Sequence, residues 1–252
     1  MLDRPLTLSA SALARTVNAE NIGELHITLA PTAGWRPRAE EQAADATARA
    51  EIARHGGIDR RGRLDADLAA TFRLLCSPQV EFYGWLNEGD RTIGVLVAAI
   101  GRDTVLAIRD GETVHLAQAQ PERLPEVLVA QTPDIPPGRG HTLTVALADL
   151  APPPSARLSV GVRPRTGPPE VQQALRLAEL PTTGGGELYT AVRDSSGRRH
   201  SSPNPVRYAD TVHGRWLNVT LPGNEPRVVI APADRRSLVS RLNDLHAALM
   251  KR

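Results

Sequence analysis

VEFYGWLNEGDRTIGVLVAAIGRDTVLAIRDGETVHLAQ, residues 80–118, decides the fold. It holds four apolar or alternating runs, Val80–Leu86, Thr92–Ile100, Thr104–Arg109 and Glu112–Gln118, each of strand length and carrying β-branched or aromatic residues. Asn87-Glu88-Gly89-Asp90, Gly101-Arg102-Asp103 and Asp110-Gly111 separate them. The last predicts a two-residue hairpin loop with both central positions at positive φ. Links this short join only antiparallel neighbours, so the stretch predicts a meander. Alternation places Tyr83 and Trp85 on one face and Phe82 and Leu86 on the other.

Upstream, the pattern changes to helical. Ser9 or Ser11 is a cap for a short helix through Val17, and Arg38–Arg54 predicts an alanine-rich helix with Ala39, Ala43, Ala46, Ala50 and Ala53 on one stripe, closed by Gly56-Gly57. Asp65 caps a helix whose Leu68, Phe72 and Leu75 share a face, stopped by Ser77-Pro78. Downstream, Gln120-Pro121 opens a closing helix. A proline-rich join then runs from Thr132 to Pro169, including Pro133, Pro136, Pro137, Pro152, Pro153, Pro154, Pro164 and Pro168. Beyond it come a helix around Glu170–Leu180, a glycine turn at Gly184-Gly185-Gly186, and strands near Glu187–Arg193, Val206–Val212, Arg215–Leu221 and Arg227–Ala231. The Asp234 cap starts a last helix with Leu238, Leu242, Leu245 and Leu249 on one stripe.

The second half repeats the first. Leu6-Thr7-Leu8 with Leu13 matches Leu143-Thr144-Val145 with Leu150, and Glu81-Phe82-Tyr83 matches Glu187-Leu188-Tyr189. Val114, Leu116, Ala117, Leu124 and Leu128 match Val228, Ile230, Ala231, Leu238 and Leu242 in the same order. The expectation is an α+β fold: a pseudo-twofold duplicated unit, about 1–132 and 141–252, with a central mostly antiparallel sheet of meanders flanked by helical bundles.

Composition narrows the function classes. The 252 residues are 41% hydrophobic and 23% charged, enough for a folded core, while 3% aromatic content leaves few rings for stacking bases. The net charge is +2, and every basic residue but Lys251 is arginine. The clusters Arg60-Arg61-Gly62-Arg63, Arg198-Arg199-His200 and Arg235-Arg236 have acidic neighbours and read as solvated faces. One cysteine, Cys76, forbids an intrachain disulfide and fits a reducing compartment; on the apolar side of its helix it reads as a small hydrophobe. Neither a signal-peptide core nor a membrane-spanning run occurs, so a cytoplasmic location is expected.

Enzyme signatures are missing: GxSxG, Walker A, HExxH, the EF-hand loop and GxGxxG after a strand. The histidines His26, His55, His115, His141, His200, His213 and His246 show no metal-ligand spacing. Gly138-Arg139-Gly140-His141-Thr142 and Gly184-Gly185-Gly186 lack the strand and helix start of a phosphate site and read as linkers. No catalytic residue, cofactor or metal is assigned. The scarce aromatics, Tyr83, Trp85, Tyr189, Tyr208 and Trp216, fall on predicted strands and suit a binding sheet.

The opening Leu6-Thr7-Leu8, the segment AEIARHGGIDRRGRLDADLAATFRLLCSPQVEF (residues 50–82), VLAIRDGETVHLAQAQPERLPEVL (residues 105–128) and APADRRSLVSRL (residues 231–242) together resemble the EspG family of actinobacterial type VII (ESX) secretion systems. The resemblance runs along nearly the whole chain and rests on the joint order of these parts. It implies a cytosolic chaperone that binds the apolar tip of a helical secretion substrate, PPE-like and paired with a PE partner, and keeps it soluble for export. Carried onto this sequence, the cargo contacts are Asn87, Glu88, Gly89, Asp90 and Arg91 in the loop between the first two meander strands, Trp85 and Trp216 on the sheet, and Leu238, Leu242 and Leu245 on the last helix. The 87–91 loop is short beside the long version of mycobacterial members, which leaves room for another helical-hairpin cargo. The alternative is a homodimerising scaffold or regulator of the same fold that binds no cargo.

Overall fold

The computed structural model describes residues 4–31, 34, 37–150, 168–221 and 223–251; Pro152, Pro153, Pro154 and Pro164 of the join lie outside them. The first half runs β1 (Leu6–Ser9), α1 (Ala10–Ala19), α2 (Arg38–Arg54), α3 (Ala66–Cys76), β2 (Val80–Glu88), β3 (Arg91–Ile100), β4 (Asp103–Asp110), β5 (Thr113–Gln118), a 3-10 turn at Pro121–Arg123 and α4 (Leu124–Val129). The second runs β6 (Leu143–Ala146), α5 (Leu147–Leu150), α6 (Pro169–Ala178), β7 (Thr182–Arg193), β8 (Arg199–Ser201), β9 (Val206–Thr211), β10 (Gly214–Leu221), β11 (Arg227–Pro232) and α7 (Arg235–Met250).

All strands join one antiparallel sheet in the order β1-β5-β4-β3-β2-β7-β9-β10-β11-β6, with β8 added beside β7. The order has the same logic from either end. β1 closes one edge on β5 and β6 closes the other on β11, while β2 and β7 meet in the middle. There Tyr83 lies directly opposite Tyr189, and their rings stack 5.2 Å apart.

Local chemistry sets the element ends. The Ser9 side chain accepts from the Ala12 amide, Asp65 from Asp67 and Leu68, and Asp234 forms a reciprocal capping box with Ser237. The β2–β3, β3–β4 and β4–β5 loops each place glycine at the first central position with φ near +57°, at Gly89, Gly101 and Gly111. The β4–β5 loop is therefore Gly111-Glu112 rather than Asp110-Gly111. Asp110 pairs with Thr113 in the ladder, and only Gly111 takes positive φ, the pattern of a type II′ turn.

Helices pack on both faces. On the first face, α1 and α3 bury Leu13, Val17, Leu68, Phe72 and Leu75 against Leu96, Ala98, Val105, Ala107 and Leu116 of the first-half strands. On the second face, α4 and α7 lie over the middle, where Leu124, Leu128, Leu238 and Leu242 meet Phe82, Val95, Val97, Leu188 and Val206. A smaller cluster on the first face packs Val171 and Ala174 of α6 on Leu143, Val145 and Val228.

Three further expectations fail here. The alanine stripe of α2 is exposed, and Ala48 and Ile52 are its buried residues. Alanine has too little apolar surface to dictate which side faces inward, and the single isoleucine does so instead. Gly184-Gly185-Gly186 is not a turn but strand. A Cβ at these positions would stand 2.7–2.8 Å from the carbonyl oxygens of Asn87, Tyr208 and Trp85, so only glycine lets β7 sit this close to both neighbours. Arg199 is not a solvated charge, because it reaches the buried Glu81 carboxylate and covers the Tyr83 ring.

Candidate functional site: an open groove on one face

Along a strand, alternate residues share a face, and directly paired residues of adjacent strands do too. Tyr83, Trp85, Glu187, Tyr189, Arg207, Ala209, Trp216, Asn218 and Ile230 therefore stand on the first face of the sheet. In the first half that face is covered. In the second, the described residues leave a groove of about 490 Å³ open between α6 and the middle of the sheet.

The groove has an apolar wall, a glycine-lined floor and a polar rim. Ala174, Leu177 and Ala178 of α6 face Trp216 and Ile230. Gly184, Gly185 and Gly186 line its floor, and of the three only Gly185, paired with Ala209, shares the groove's face; the crowding that excludes side chains here keeps the strands close beneath the groove. Glu187 and Arg207 pair across the rim at 2.7 Å, and the Tyr189 hydroxyl donates to the same carboxylate at 2.7 Å. The Arg207 hydrogen bond, and then that of Tyr189, hold the Glu187 carboxyl below its ordinary pKa, so the rim is a neutralised pair at pH 7.

The residues singled out in the sequence divide into three groups. Trp85 is half-buried on the first face, edge-on to Tyr83 and Tyr189. Trp216 lines the groove but is only 6% exposed, with Gly138 and Gly140 packed against its indole. Asn87, Glu88, Gly89, Asp90 and Arg91 are exposed at the β2–β3 tip, and Asn87 and Gly89 reach the groove. The tip is braced: Arg91 forms a two-point pair with Asp110 at 3.0 and 2.6 Å, and Thr92 donates to Asn87. Leu238 and Leu242 leave the candidate set. Both are 0% exposed in the second-face core, and Leu245 is half-buried against the same core. A leucine stripe cannot show whether it meets the protein's own sheet or a partner, and here the sheet takes it.

Sequence reasoning missed two polar centres. Arg215, fully buried, donates to Asp210 at 2.6 and 2.8 Å, to Thr132 Oγ1 at 3.1 Å and to the Pro133 carbonyl at 2.9 Å, and lies over the Tyr208 ring. It fastens the start of the join to the second half. The available signal was the β9–β10 hairpin, which places Asp210 directly opposite Arg215. The second centre is His26, whose Nε2 is 3.8 Å from Glu81 and whose ring meets Tyr83 edge-on. Burial, reinforced by Arg199 and Arg193, drives His26 down to about 3, so it is neutral and makes no ion pair with Glu81. Burial also raises the Glu81 carboxyl, against the pull of Arg199. Among the described residues no cluster of His, Cys, Asp and Glu could hold a metal, and no helix is long and apolar enough to cross a membrane.

Comparison with known proteins places this geometry. No curated protein sequence matches the chain significantly. The solved structure of the Mycobacterium tuberculosis type VII secretion system chaperone EspG5, in complex with a PE25–PPE41 dimer, is similar over 96% of each chain, with a TM-score of 0.68 and 13% identity. That likeness establishes the fold. A sequence model of the EspG family matches residues 9–244, nearly the whole length, and the chain belongs to the EspG family.

Proposed function

We propose that this protein is a cytoplasmic, non-enzymatic chaperone or adaptor that holds the apolar tip of a helical type VII secretion substrate, PPE-like or related, and keeps it soluble for export. The observation that carries the reading is the open groove. Its apolar wall and glycine-lined floor lie beside an exposed, braced hairpin tip, on a fold shared with a chaperone solved together with a PE25–PPE41 dimer. An exposed apolar tip on a cargo favours aggregation until a surface covers it. The contact set is Trp85, Asn87, Glu88, Gly89, Asp90, Arg91 and the groove side of Trp216. No cofactor or metal takes part.

The unit that does this is one domain of two repeats, about 1–132 and 141–252. The matched order of strands from the two sheet edges supports that division.

Co-expression of the chain with each PE–PPE-type pair of its own organism, followed by size-exclusion chromatography with light scattering, tests the function. A 1:1:1 complex that prevents precipitation of the pair is the expected result. A chain that leaves every pair insoluble and elutes as a dimer overturns it in favour of the scaffold.

A further inference from the structure

Ile27 is 66% exposed, yet its neighbours are fixed. Thr28 and Leu29 are 2% and 0% exposed, and the His26 side chain is almost fully buried. The turn they form is held at several points. Leu29 and Ala30 donate to the His26 carbonyl at 2.8 and 3.1 Å, His26 Nδ1 and Thr28 Oγ1 are 2.8 Å apart, and Arg109 donates to the Ala30 carbonyl. An isoleucine held in water on so rigid a turn has lost its backbone freedom in advance, the condition under which an exposed apolar side chain contributes most to binding.

Its location gives it a partner. The Thr28 carbonyl lies where a Cβ on Gly94 would stand, so the turn sits on the face to which residue 94 points. Gly94 pairs directly with Trp85, and Trp85 with Glu187 at the groove rim. The turn is therefore on the same face as the groove, two strands away, roughly 10 Å at the spacing of a sheet. Two packed helices have axes about 8–10 Å apart. A helical-hairpin tip with one helix in the groove would lay its second over Trp85 and onto Ile27.

We propose that Ile27 is a further cargo contact, which together with Trp85, beyond the polar rim of the groove, receives the second helix of a two-helix tip. This rests on the chaperone function proposed above. Met250, 65% exposed at the far end of α7, provides an exposed apolar control outside this contact.

The test uses the full-length chain and the PE–PPE-type pair recovered with the wild type. Ile27→Asp is expected to weaken the complex at least about tenfold by calorimetry, while Met250→Asp leaves it unchanged. In an Ile27→Cys variant the new thiol is the accessible one, because Cys76 is buried and its thiol is pushed up to about 11. A short bifunctional thiol–amine reagent should therefore link position 27 to the cargo. If the pair binds Ile27→Asp as tightly as the wild type and no cross-link forms, the inference is wrong and the chaperone function stands. If the wild type recovers no pair, both are wrong.

Discussion

Over β1 to β5 the first face of the sheet is buried beneath three helices, with Phe72, Leu75 and Leu96 fully enclosed. Over β7 to β11 the described residues cover the same face with α6 and the four-residue α5, leaving Leu177, Ala178 and Asn218 around open space. The second face shows no such contrast: α4 and α7 fill it alike, through Leu124 and Leu128 on one side and Leu238 and Leu242 on the other. One plan of strands thus carries a half that resembles a conventional core and a half that resembles a receptor. Strand order does not make a recognition surface; among the described residues, the lighter helical cover of the second half does.

The largest effects should appear where each half is closed. Phe72→Ala in the covered half should cost about 3–5 kcal/mol in chemical denaturation. Asp210→Ala in the open half should cost about as much for a different reason: it strands the Arg215 guanidinium without its carboxylate in a site closed to water. Exchanging Asp210 and Arg215 together for leucine and methionine should restore much of that loss, which the single change cannot. Equal loss in the single and double variants would show that the pair itself stabilises the open half.

A smaller effect comes from pH. His26 is neutral when folded, with its pKa lowered to about 3, and titrates near 6.5 when unfolded. The unfolded chain therefore binds the extra proton as pH falls below 6.5, and folding stability declines from there toward pH 3. For this group the loss is about 2 kcal/mol between pH 7 and 5. The raised Glu81 carboxyl acts in the opposite sense, since the folded state binds its proton first. His26→Gln should flatten the pH 5–7 portion of a denaturation series. An unchanged slope would assign the acid sensitivity to other groups.

The smallest change in stability belongs to the groove. Leu177→Ala should cost no more than about 1 kcal/mol, because the side chain is only half-covered, yet it should weaken cargo binding measurably. A stability loss as large as that of Phe72→Ala would mean that the groove is part of the core and that the contrast between the halves is false.

What could be read in the sequence follows the same division. Caps, hairpins and leucine stripes are local: Asp65 and Asp234 announced their helices directly, Gly89 marked its turn, and of the two candidate caps Ser9 and Ser11 it is Ser9 that starts α1. Elements with little side-chain signal were misread: alanine gave α2 no preferred face, and three glycines gave β7 no alternation. The site was only partly legible. Trp85 lies on the face that alternation assigned it, but the predicted 87–91 loop is only the Gly89-Asp90 turn, with Asn87, Glu88 and Arg91 in the strands, and the groove depends on α6 and on a β7 lined with glycine. Arg215 is held by hydrogen bonds to three residues, Asp210, Thr132 and Pro133, of which only Asp210, across the hairpin, is local, so its role needed the fold.

The stacked pair of Tyr83 and Tyr189 at the middle of the sheet has one more consequence. On the two-repeat division proposed above, this is a strand lying antiparallel against its own counterpart, with one residue facing its equivalent, the geometry of an isologous contact between identical subunits. In a true homodimer every substitution is made twice, so a helix lost to open a binding surface is lost on both sides together with the stability it gave. Covalent linkage removes that constraint. One copy can keep its full complement of helices and act as an anchor, leaving the other free to expose its sheet to a ligand.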